Sequence, residues 1–149
     1  VAANLDAIGR TYPPTVYAAG REKITEYALA TGETDPLHLD VGAARAAGYA
    51  DVVAPPMFAV VYQGRGVGRP LSDPDVGIDF PRLLHAGQEF RWGPLVIAGD
   101  EITTTVTVAS IRERAGLGFF DFEAESVNQR GEVVATGIWR NVVRGEEQP

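Results

Sequence analysis

With 149 residues and a hydrophobic fraction of 45%, the chain can bury one sizeable core but not two comfortable ones, so residues 1–149 read as a single domain. Its 20 acidic against 13 basic side chains give a formal charge of −7, which argues against nonspecific binding to nucleic acid or to anionic membrane surfaces. The chain has no cysteine, which removes disulfides, thiolate metal sites and cysteine nucleophiles together.

No apolar run approaches the roughly 20 residues a membrane helix needs, and "VAANLDAIGR" lacks the basic-then-apolar layout of a signal peptide. The cytoplasm is the default expectation. In "TYPPTVYAAG" two prolines punctuate a short potential strand, "TVYAA". "REKITEYALATG" follows with Ile24, Tyr27, Ala28 and Ala30 mostly at helical spacing, and Gly32 is its natural stop. "LDVGAARAAGY" predicts a second helix of two or three turns, with Asp40 as N-cap and Gly48 at its end.

The most apolar stretch of the first half is "VVAPPMFAVVYQGRGVG". Pro55 and Pro56 suit a helix entrance, where a missing N–H costs least, and a buried helix is predicted from about Pro56 to Gln63. The Gly/Pro/Asp-rich "GRGVGRPLSDPDVG" is predicted to be a loop. From Leu83 onward "LLHAGQEFRW", "EITTTVTVASIRER", "GLGFFDFEAESVNQ" and "EVVATGIWRNVVR" are rich in β-branched and aromatic residues, with alternation clearest in the middle two. Turns fall at "GPLVIAGD", "RAG" and "RGE". An α+β chain with a long antiparallel meander wrapped around one apolar helix is the simplest packing.

The loop "TGETDPLH", followed by "GYADVVAPPMF" and "PLVIAGDEI", gives three ordered matches to one family. The chain resembles the MaoC-like dehydratases and (R)-specific enoyl hydratases, including the subunits of mycobacterial 3-hydroxyacyl-carrier-protein dehydratases. The resemblance spans nearly the whole chain. It implies a hot-dog fold, action on acyl thioesters of coenzyme A or acyl carrier protein in fatty-acid metabolism, no metal or organic cofactor, and a homodimer or a heterodimer with another hot-dog subunit.

In that family's Gly-Asp-x-Asn-Pro-(aliphatic)-His signature, Gly32 stands on the Gly, Glu33 on the catalytic Asp, Asp35 on the Asn, Pro36 on the Pro and His38 on the catalytic His. Adding water across an enoyl thioester needs a base to take a proton from water while the α-carbon receives one. A carboxylate and an imidazole a few residues apart on a rigid loop can hold that water, and a backbone N–H at a helix entrance can stabilise the enolate oxygen. Glu33 and His38 are therefore the catalytic candidates. Asp35 is a third, close enough in sequence to compete with Glu33 for His38. Gly32, Pro56 and Met57 are the candidate substrate-facing positions.

Two departures from the pattern have physical consequences. Glu for Asp at position 33 extends the carboxylate by about 1.3 Å, and misplacement near 1 Å can cost on the order of 100-fold in rate. Where the resembling hydratases open the central helix with a His-Gly segment that presents an N–H, this chain has "APPMF", and Pro56 has no N–H to give. Met57 is the nearest following donor. This entrance also resembles the partner subunit that shapes the acyl tunnel in heterodimeric dehydratases, so a non-catalytic acyl-binding subunit is the first alternative. A hot-dog thioesterase is the second.

The remaining features have simpler readings. His85 suits a surface or packing role; Arg65, Arg69, Arg82 and Arg91 suit a solvated face; and "GRGVG" lacks the spacing of a phosphate loop. Phe119, Phe120, Trp92 and Trp139 suit the core or a dimer interface, with a tunnel wall open to one of them. Gly99-Asp100 reads as a tight turn with a structural Asp.

Overall fold

The computed structural model describes residues 3–145. Strand β1 (Thr15–Ala18) leads into helix α1 (Arg21–Ala30), a 3-10 turn at Pro36–His38 and the short helix α2 (Val41–Ala46). A second 3-10 turn, Pro56–Phe58, opens helix α3 (Ala59–Ser72), and β2 (Leu83–Trp92), β3 (Glu101–Arg114), β4 (Leu117–Val127) and β5 (Val133–Arg144) complete the chain. The strands form one antiparallel sheet in the order β1-β3-β4-β5-β2, with α3 packed against it. This is the hot-dog arrangement.

Side-chain alternation places the core. On β3, Ile102, Thr104, Val106 and Val108 point inward; an irregularity between Val108 and Ser110 then shifts the register so that Ile111 is the next inward residue. Phe120, Phe122 and Ala124 do the same on β4. Two apolar clusters result. One joins Ile24, Val52, Phe58, Tyr62, Ile102 and Val134; the other joins Val67, Val76, Val106, Val108, Phe120, Phe122 and Val143. Helix α3 spans both, with Phe58 just before it and Tyr62 in the first, and Val67 in the second.

Two expectations are corrected. The central helix does not stop at Gln63 but runs to Ser72, so "GRGVGRPLS" is helix and not loop. Its buried positions, Ala59, Tyr62, Gln63, Gly66, Val67 and Pro70, keep helical spacing through the glycines. Gly66 explains why packing overrides propensity here: a Cβ at that position would meet Val106 Cγ2 at 3.0 Å and Thr15 Oγ1 at 3.3 Å. The glycine lets the helix backbone approach the sheet closely. The second correction concerns "GPLVIAGD", which is no hairpin turn. Strand β2 pairs with β5, so only β3, β4 and β5 form a meander and residues 93–100 connect two strands that are not neighbours.

A buried polar network sits between α3 and the sheet. The Gln63 amide donates to the Ala124 carbonyl at 3.2 Å and to Ser126 Oγ at 3.1 Å, while its oxygen accepts from the Trp139 indole at 2.9 Å. Thr104 Oγ1 lies 2.8 Å from Ser126 Oγ. Gly137 makes room for the network, since a Cβ there would collide with Gln63 Oε1.

Candidate active site

Helix α1 delivers Glu33 to the start of the loop through a left-handed glycine. Gly32 has φ +77°, and the Glu33 N–H returns to the Ala28 carbonyl at 2.9 Å, a Schellman ending. The Glu33 side chain is half-buried. Its charge reaches Tyr27, whose hydroxyl is held above its ordinary value first by burial and then by Glu33. Tyr27 in turn stands edge-on to Phe58 at 5.4 Å, so Glu33 belongs to the neighbourhood of the central helix's entrance.

Asp35 has a local occupation. Its Oδ1 accepts the Leu37 N–H at 2.9 Å, which caps the Pro36–His38 turn, and the residue is exposed. The side-chain bond goes to Leu37; His38 meets Asp35 through the backbone, its N–H donating to the Asp35 carbonyl at 3.1 Å. Asp40 acts likewise one turn later, accepting the Ala43 N–H at 3.0 Å at the head of α2.

His38 is half-buried, with Nδ1 2.6 Å from the Val53 carbonyl oxygen. A carbonyl only accepts, so Nδ1 carries the proton and the neutral ring keeps Nε2 as an acceptor. The loop is stitched to the same residue a second time, by Val53 N–H to the Leu37 carbonyl at 2.9 Å. On its other edge this segment pairs with residues 96–98: Ala54 N–H donates to Val96 at 2.8 Å and Ala98 N–H to Val52 at 3.0 Å. An Arg21–Asp51 pair, bonded through both carboxylate oxygens at 3.0 and 2.6 Å, ties the segment back to α1. The guanidinium holds the Asp51 carboxyl below its ordinary value.

Beyond Ala54 the chain enters α3. Pro56 has no N–H, and the Phe58 N–H is taken by the Pro55 carbonyl at 2.9 Å. Met57 carries the first N–H after the two prolines. Beside this entrance lies an apolar cavity of about 280 Å³, walled by Ala54, Pro55, Pro56, Tyr62, Trp92 and Val96 among others. One short stretch thus carries the His38 contact at Val53 and, at Ala54, Pro55 and Pro56, part of the cavity wall; Glu33, Asp35, His38 and Met57 are not among the residues that line the cavity. Among the described residues no three His, Asp or Glu side chains gather as a metal site.

Other candidates sit elsewhere. His85 is exposed on β2, its ring 5.5 Å from that of Trp139. Asp100 is buried and structural, accepting from the Ile97 N–H at 2.9 Å and the Gln129 amide at 2.8 Å. Sequence reasoning missed the Val53 carbonyl, because backbone acceptors leave no mark in residue identity. It also missed the bond from the Trp92 indole to the Pro56 carbonyl, 36 residues away in sequence.

Comparison with known proteins agrees with this arrangement. Residues 6–137 match the FAS1-like, dehydratase domain region. A UPF0336 protein of Leifsonia xyli subsp. xyli is 46% identical over 140 residues, covering 93% of this chain and 94% of that one. Another, from Streptomyces griseus, is 42% identical over 95% of both. Among solved structures, the C-terminally truncated HadBC (3R-hydroxyacyl-ACP dehydratase) complex of Mycobacterium tuberculosis aligns with TM-score 0.81 and 26% identity, over 93% of this chain and 98% of that one. A MaoC-like dehydratase aligns with TM-score 0.85 and 31% identity, over 96% of this chain but 44% of its own length. With residues 6–137 matched, a span that ends inside β5, the chain belongs to the FAS1-like dehydratase domain family, within the MaoC-like hot-dog dehydratases.

Proposed function

We propose that the chain hydrates enoyl thioesters and dehydrates 3-hydroxyacyl thioesters with (R) stereochemistry, carried on coenzyme A or acyl carrier protein. The observation that supports this most is the His38–Val53 bond at 2.6 Å, which leaves Nε2 as a base. In this reading Nε2 and the Glu33 carboxylate hold one water. As its oxygen bonds to the β-carbon, its proton passes to the pair, the double-bond electrons move onto the thioester oxygen, and the Met57 N–H stabilises the enolate. The pair then returns the proton to the α-carbon. Dehydration is the same path reversed, and the apolar cavity beside Pro56 takes acyl chain.

The chain is proposed to act as a dimer of hot-dog units in the cytoplasm. Strand β2 supports the pairing, because its ten residues form an outer edge of the sheet with most side chains exposed or half-exposed. A second reading, an acyl-binding subunit that needs a catalytic partner, is favoured by Pro56 at the helix entrance and by the likeness to a chain of the two-component HadBC complex.

Purified protein mixed with crotonyl-coenzyme A separates the readings. Loss of conjugated absorbance without release of thiol supports hydration. Thiol release supports a thioesterase, and neither signal supports the partner-dependent subunit. Glu33→Gln is expected to lower the hydration rate on the order of 100-fold; undiminished turnover would remove Glu33 from the mechanism.

A further inference from the structure

We propose that Trp92 is a positioning residue for the enolate-stabilising N–H, an inference that rests on the reading of Met57 given above. The Trp92 indole donates to the Pro56 carbonyl oxygen at 2.9 Å. That oxygen belongs to the same peptide group as the Met57 N–H. In a trans peptide, as all are among the described residues, the C=O and N–H share a plane and point in opposite directions, so fixing one aims the other. Trp92 holds the oxygen toward the end of β2 and thereby turns the Met57 N–H away from it. The same bond polarises the amide and makes its N–H a stronger donor.

Pro55 and Pro56 donate nothing. Inside the turn the Pro56 carbonyl also accepts the Ala59 N–H, and the Trp92 indole is its partner from the sheet, so the two together set this peptide's plane. Trp92 is 53% exposed, and its neighbours on the strand place it. Its ring lies 5.8 Å from that of Phe90, and the following Gly93 N–H donates to the Val134 carbonyl at 2.9 Å. Position 93 admits no side chain, because a Cβ would collide with the Val133 carbonyl oxygen. Edge strand, indole, peptide plane and donor are therefore connected in series.

Trp92→Phe keeps an aromatic wall on the cavity and deletes the N–H. The first measurement uses acetoacetyl-coenzyme A at saturation, whose enolate absorbs in the near ultraviolet and is the form the donor stabilises. The second is kcat and KM for crotonyl-coenzyme A. Loss of a full oxyanion donor costs about 100-fold or more, so loss of its aim is expected to lower the bound enolate fraction and kcat about tenfold each, with KM unchanged. Trp92→His, which restores a ring N–H, should retain more of both. Equal enolate fractions in the parent chain and Trp92→Phe overturn the proposal, as does a parent chain that gives no enolate enhancement. A Trp92-dependent enolate band from a chain that does not hydrate crotonyl-coenzyme A keeps the positioning role and removes the hydratase reading instead.

Discussion

In the proposed mechanism the two nitrogens of His38 have divided duties: Nδ1 is held by the Val53 carbonyl and Nε2 accepts the proton. Replacing it by Asn is expected to lower crotonyl-coenzyme A hydration by about 100-fold or more, measured as initial rates. Asp35 should behave differently. As the cap of the Pro36–His38 turn, it tolerates Asn, whereas Asp35→Ala should cost about 1 kcal/mol of stability in a urea titration. A rate loss in Asp35→Asn as large as in Glu33→Gln would instead make Asp35 the working carboxylate. Residue types and order revealed the loop, because short polar side chains next to a proline have few local options. The assignment of individual roles needed coordinates, since one added methylene or a backbone acceptor decides it.

Helix α3 shows how context divides one residue type. Gly66 faces β3 with a Cβ-sized gap already filled by Val106, so Gly66→Ala should destabilise by about 1–3 kcal/mol. Gly64 has nothing within 4 Å of its would-be Cβ, and Gly64→Ala should stabilise by about 0.5–1 kcal/mol. Thermal melts of both variants check the contrast. It also explains why strands β2 and β3 were legible to the residue while the end of α3 was not. Alternating β-branched residues mark β3, and β2, which has none, is delimited by Pro81 and Gly93, but three glycines in a helix read as a loop until their close approach to a sheet is known. The position of β2 beside β5 was hidden for a related reason, since sequence order suggests neighbours and a crossover leaves no local signal.

Acid stability is set where distant parts of the molecule are fastened together. Arg10 and Tyr12, near the start, bond Asp73 beyond the end of α3 at 2.8 and 2.6 Å, and Arg10 also reaches Asp75 at 3.0 Å. The Tyr12 hydroxyl, then the Asp75 N–H and Arg10, hold the Asp73 carboxyl below its ordinary 3.8, as Arg21 does for Asp51. For a depressed carboxyl the stabilisation is present above the unfolded value and is lost as pH falls through the folded one. The melting temperature should thus hold from neutrality down to about pH 4 and decline below it, and Asp73→Asn should flatten that decline. If β2 pairs with a second hot-dog unit, the melting temperature measured near pH 7 should also rise with protein concentration. Gln63 governs a different property. Its amide touches β4 and β5 at once, so the rotation of α3 about its own axis is indexed like a key in a slot. Leucine at this position would leave the hydrophobic seal intact while freeing the key to turn, and a near-ultraviolet circular dichroism signal that blurs before the protein melts would be the mark of that lost indexing.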